Sequence, residues 1–86
     1  MMQLIPRIAP LYRLQHEARQ ARWVLLYPEG MVRLNDTAGD ILRRIDGAST
    51  VAMLVEQLEQ AWPEAQVRDD VLEFLRDAHE RGWLVC

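Results

Sequence analysis

Residues 31–47 read Met31-Val32-Arg33-Leu34-Asn35-Asp36-Thr37-Ala38-Gly39-Asp40-Ile41-Leu42-Arg43-Arg44-Ile45-Asp46-Gly47, and within them the apolar period changes from that of a strand to that of a helix. Met31 to Leu34 follows the turn chemistry of Pro28-Glu29-Gly30 and reads as a short strand. Beyond Leu34, the residues Ala38, Ile41, Leu42 and Ile45 fall at i, i+3, i+4 and i+7, one stripe of a helix. Asn35, Asp36 and Thr37 are all N-cap candidates, Asp40 stands three residues after Thr37 in a capping-box-like position, and Gly47 is suited to the left-handed conformation that ends a helix.

On the N-terminal side of this junction, Arg22 to Tyr27 is dense in aromatic and large aliphatic residues and predicts a buried strand. Leu11 to Glu17 alternates in part, with Tyr12, Leu14 and His16 on one face, and Glu17 to Ala21 reads as the connector between the two. A three-stranded antiparallel meander is the simplest assembly. Pro6 and Pro10 mark residues 1–10 as a flexible extended arm, which leaves 11–86 as a single domain. On the C-terminal side, Ser49 or Thr50 caps a second helix whose stripe is Val51, Leu54, Val55, Leu58 and Trp62, and Pro63 stops it. The third helix runs from about Val67 to Arg81 with Val67, Val71, Phe74, Leu75 and Ala78 inward, Asp69 and Asp70 near its positive end, and Gly82 after it; Trp83-Leu84-Val85 then folds back over the core. The fold class is α+β and winged-helix-like, a three-stranded antiparallel sheet followed by a three-helix bundle. Such a sheet has two edges and no further strand to pair them both.

With 86 residues the chain supports one core only, and its 50% hydrophobic and 27% charged composition is that of a globular domain. The uncharged apolar runs are far too short to span a bilayer, and Arg7 interrupts the start where a signal peptide would need continuous apolar residues, so a cytoplasmic location is expected. Residues 1–45 hold seven arginines against four acids, whereas 46–86 hold three arginines against nine acids. Six acids and three arginines between 64 and 82, with a net charge of −3 overall, argue against a winged-helix DNA-binding protein, the main alternative that this element order permits alongside other protein-interaction modules.

The residues also argue against catalysis. Cys86, the single cysteine, stands at the last position with no neighbouring base. His16 and His79 lie in different elements without further ligands, and Asp69, Glu73, Asp77 and Glu80 form a solvent stripe along the third helix, so no metal is expected. The four glycines are dispersed and make no phosphate loop, and no cofactor is expected. A binding module remains.

Pro6-Arg7-Ile8-Ala9-Pro10, Leu25-Leu26-Tyr27-Pro28-Glu29-Gly30, the run Leu34 to Leu42, Ile45-Asp46-Gly47 and Arg81-Gly82-Trp83-Leu84, in that order, resemble the PqqD family of pyrroloquinoline quinone (PQQ) biosynthesis over residues 5–84. The resemblance implies a peptide chaperone of the RiPP recognition element class. It would bind the precursor peptide PqqA and present it to the radical S-adenosylmethionine enzyme PqqE, which cross-links a glutamate and a tyrosine of that peptide. It further implies that the peptide adds as a strand beside the third strand, in a cleft against the third helix. The edge is then Met31, Val32, Arg33 and Leu34, and the helix wall is Val71, Leu72, Leu75, Arg76 and His79. Leu72 either extends the core or floors the groove; Arg33 and Arg76 either pair peptide carboxylates or are simply solvated; Val32, Leu34, Val71 and Leu75 are equally compatible with plain core. Open strand edges and a proline-marked hinge suggest a monomer or weak dimer in dilute solution, and a swapped or edge-paired dimer at crystallisation concentrations.

Overall fold

The computed structural model describes residues 1–86, in the order β1 (Arg7–Ile8), β2 (Arg13–Glu17), β3 (Arg22–Tyr27), β4 (Gly30–Arg33), α1 (Asp36–Leu42), α2 (Val51–Ala61), α3 (Arg68–Glu80) and β5 (Leu84–Val85). β2, β3 and β4 form an antiparallel sheet with β3 in the middle. Its register sets Leu14, Leu25 and Val32 in one row and Gln15, Val24 and Arg33 in the next. Successive side chains alternate between the faces. The first row therefore belongs to the inner face, where Leu25 and Leu34 are buried and Tyr12, Leu14, Trp23 and Val32 pack against the same core. The second row points to the opposite face together with Arg13, Leu26 and Met31, and there Val24 is itself buried, at 2% exposure, outside the main core cluster.

The helices close the inner face with most of the residues their stripes predict: Ala38, Ile41 and Leu42 from α1, Val51, Val55 and Leu58 from α2, and Val71, Leu75 and Ala78 from α3. Trp62, expected inward, instead follows the end of α2 at Ala61 and is 37% exposed. Phe74 and Val67 are only partly buried at the margin of this core. Asn35 is the cap of α1, its side chain accepting the Ala38 N–H at 2.7 Å. Asp40 is consequently free of any capping role and accepts instead from Trp62 Nε1 at 2.8 Å, from Arg43 Nε at 2.8 Å and from Arg44 Nε at 3.2 Å. The helix also ends sooner than its stripe suggests, at Leu42, and Gly47 (φ +77°) serves the turn into α2. There Asp46 Oδ1 accepts the N–H groups of Ala48 and Ser49 at 2.9 and 2.8 Å, which holds its carboxyl below the ordinary value of 3.8. Thr50 caps α2 by accepting the Met53 N–H at 3.1 Å.

The first ten residues, read as a mobile arm, lie against the body. Arg7 and Ile8 pair with Val85 and Leu84 in a second, two-stranded sheet, and the Ala9 N–H donates to the Trp83 carbonyl at 2.8 Å. The carbonyls of Leu4 and Met2 accept from Val51 and Ala52 at 2.9 and 3.0 Å. These are donors that the first turn of any helix leaves without an intrahelical partner, so the segment completes the start of α2 from outside.

Candidate functional site

β4 pairs with β3 on one side only. The Leu34 N–H donates to the Trp23 carbonyl at 3.1 Å, which makes Trp23 and Leu34 a hydrogen-bonded pair. Such pairs alternate along an antiparallel ladder. In this register Leu25 with Val32 and Tyr27 with Gly30 are then hydrogen-bonded, whereas Leu26 with Met31 and Val24 with Arg33 are not. The N–H and C=O groups of Met31 and Arg33 therefore point away from β3, out of the sheet. Of the four edge residues named from the sequence, these two offer backbone to a further strand. Val32 turns its side chain to the inner face, and Leu34 is core at 4% exposure.

On α3, Val71 and Leu75 are core as well, while Leu72 is partly buried against it, as Val32 is. Edge strand and helix thus both pack on one apolar cluster. Arg76 and His79 are exposed and share a helical face with Leu72. With Leu75 they also line a cavity of about 220 Å³ whose other walls include Leu4, Pro6 and Leu84. This cavity associates the C-terminal half of the helix wall with the chain ends, and none of the molecule's cavities includes β4 in its lining. Neither Arg33 nor Arg76 has a carboxylate within 4 Å; the ion pairs are Asp40 with Arg43 and Arg44, and Glu59 with Arg68.

Two features escape the sequence reading. The cavity beside Leu4 depends on the placement of the N-terminal segment, which has no periodic signal. A second cavity of about 150 Å³, lined in part by Ile41, Leu58, Trp62 and Val71, opens where α1, α2 and the start of α3 meet. The exposed Trp62 at the end of α2 was its one available clue. Elsewhere, His16 stands edge-on to Trp23 with ring centres 5.0 Å apart, Cys86 is exposed, and no three His, Cys, Asp or Glu side chains converge on a point where a metal would sit.

An unpaired strand edge with two outward backbone pairs, in a fold whose sheet and helices share one apolar cluster, is what a small α+β recognition domain presents. The family model described as "Coenzyme PQQ synthesis protein D (PqqD)" matches residues 22–84. The PqqA binding protein of Klebsiella pneumoniae is 50% identical over 76 residues, 87% of this chain and 83% of that one. The PqqA binding protein of Azotobacter vinelandii is 47% identical over 81 residues, 93% and 88% of the two chains. Among solved structures, the NMR structure of the PqqD truncation of Methylobacterium extorquens PqqCD, described as a stand-alone RiPP recognition element, superposes with a TM-score of 0.78 at 27% identity, covering 100% of this chain and 94% of the other. The chain belongs to the PqqD family, whose members are recognition domains rather than catalysts.

Proposed function

We propose that this chain binds the precursor peptide PqqA as a strand added to β4 and presents it to the radical S-adenosylmethionine enzyme PqqE in the cytoplasm. The observation that carries the reading is the outward pair of backbone groups at Met31 and Arg33, with Leu72 of α3 on the cluster behind them. Backbone bonds supply affinity that any extended peptide shares, and side-chain pockets supply selectivity. Met31, Val32, Arg33 and Leu34 form the strand wall, and Val71, Leu72, Leu75, Arg76 and His79 form the helix wall. Within each wall, the buried members set the shape and the exposed members meet the peptide.

Titration of the labelled protein with PqqA tests the binding mode. Amide shifts and slowed exchange are expected at Met31 and Arg33, with side-chain shifts at Leu72, Arg76 and His79. Leu72→Asp puts a charge on the apolar wall and is expected to weaken binding at least about tenfold, the scale of one lost buried side chain. Glu73→Ala on the solvent face is expected to change it less than twofold. Perturbation confined to the N-terminal segment or to Leu54–Leu58 would overturn strand addition. For presentation, the rate of PqqE cross-linking of PqqA should rise when this protein is added, and a rate unchanged by it would overturn that step; without PqqE the peptide mass should not change.

A further inference from the structure

The outer face of the sheet has a charge pattern that extends to the open edge of β4. Arg33 stands in the row Gln15–Val24–Arg33, so its direct neighbour across β3 is a valine, and Arg22, two residues before Val24, lies on the same face diagonal to it. Arg33 is exposed and has no carboxylate within 4 Å. Within the sheet it has Val24 opposite and Leu26 and Arg22 on the two diagonals, Arg22 itself standing opposite Glu17, so no acid adjoins Arg33 directly and its remaining lateral side is the open edge. The next row on the same face is Arg13–Leu26–Met31, which ends at the edge in a side chain that is 48% exposed. Between these two rows, on the inner face, Leu14–Leu25–Val32 ends at the edge in an apolar side chain.

We infer that the peptide bound at β4 is selected by a three-residue pattern: an acid opposite Arg33, then an apolar residue opposite Val32, then an apolar residue opposite Met31. The inference rests on strand addition at β4. Because Met31 and Arg33 point their backbone groups outward, the peptide residues opposite them form the hydrogen-bonded pairs and carry their side chains on the outer face. The residue between them points inward, toward the core that holds Val32 and Leu72. Directly opposed side chains have their Cβ atoms about 4.5–5.5 Å apart, close enough for a carboxylate to meet the Arg33 guanidinium. An aspartate or glutamate there gives Arg33 a directly opposed anion that its own sheet does not supply, and a lysine there would set a like charge directly opposite Arg33.

The test uses a PqqA fragment whose residue opposite Arg33 has been located by cross-strand amide contacts, prepared with Glu, Ala or Lys at that position. Against the unmodified protein, the Glu peptide is expected to bind about tenfold tighter than the Lys peptide, the combined scale of one favourable and one unfavourable cross-strand charge pair. High salt should compress that ratio. Arg33→Ala should abolish the preference, and Arg33→Glu should reverse it, with the Lys peptide now the tighter. Protection of the Met31 and Arg33 amides, with all three peptides equal within twofold on both the unmodified protein and Arg33→Glu, would overturn the acid preference and leave strand addition standing. Absence of that protection would overturn both.

Discussion

Gly39 lies inside α1, where alanine is ordinarily the better helix former by about 1 kcal/mol. A Cβ there would sit 2.8 Å from Cδ1 and 3.0 Å from Cβ of Trp23. The Trp23 Cβ is anchored to the backbone of the central strand and cannot swing aside, so the helix and sheet would have to separate. Overpacking of this kind costs about 1–3 kcal/mol, which exceeds the propensity gain. Gly39→Ala should therefore lower stability by about 1 kcal/mol in urea unfolding, and an unchanged or higher midpoint would show that Trp23 accommodates the methyl. Asp46 gives a prediction in pH. Its carboxylate accepts the Ala48 N–H and the Ser49 N–H, so the folded state lowers its pKa, and the stabilisation is present above the ordinary value of 3.8 and is lost as pH falls through the lower folded value. Asp46→Asn should melt at a lower temperature than the unmodified protein at pH 7, with the gap closing below 3.8. A gap that stays constant into acid would exclude the carboxylate charge as its source. Neither effect could be read from the sequence: the Asp-Gly pair announces a turn, but not which amides the carboxylate takes.

At the scale of elements, the two residues of the β4 edge respond differently to proline. Arg33→Pro removes an outward N–H that no strand of the protein uses, and proline is tolerated at such edge positions. It should keep the fold while weakening PqqA binding. Val32→Pro instead removes the N–H that pairs with Leu25 in the middle of the sheet and leaves a buried carbonyl unpartnered, at about 1–3 kcal/mol. Melting curves and peptide titrations of both variants separate the two roles, and equal loss of stability would show that the alternation along β4 is assigned wrongly. β3 runs over Arg22–Tyr27, as its composition predicts, and the stripes of α2 and α3 are legible because their periodicity is local. Three adjacent residues could cap α1, and only the extended backbone at Asn35 distinguishes the one that does. The strand expected from Met31 to Leu34 is found one residue earlier, at Gly30–Arg33, and which of its residues face outward depends on the register of the hairpin, since a slip of one residue would exchange Met31 and Arg33 for Val32.

Across the whole molecule, the outer edges of β2 and β4 are both unpaired within the chain, yet each is only four or five residues long and carries arginine. Short, charged edges resist pairing with another copy. The protein should be a monomer or weakly self-associating in dilute solution, with a radius of gyration by small-angle scattering somewhat above the 12.5 Å of its Cα atoms, and a dimer persisting through dilution to nanomolar concentration would contradict this. The part of the fold least accessible from sequence is the second sheet, since two strands of two residues have no period and their pairing joins Arg7 to Val85, opposite ends of the chain. That pairing has a consequence for how the domain can be wired. Entry and exit of the polypeptide lie side by side on a sheet separate from the one that carries the open β4 edge. A short linker could join the two ends and let the chain begin instead in the Ala18–Ala21 turn, or the domain could be grafted into a loop of a larger protein. The graft changes connectivity only at the two-stranded sheet, whereas the permutation also opens the β2–β3 turn; in both, the β3–β4 hairpin that carries the open edge stays continuous.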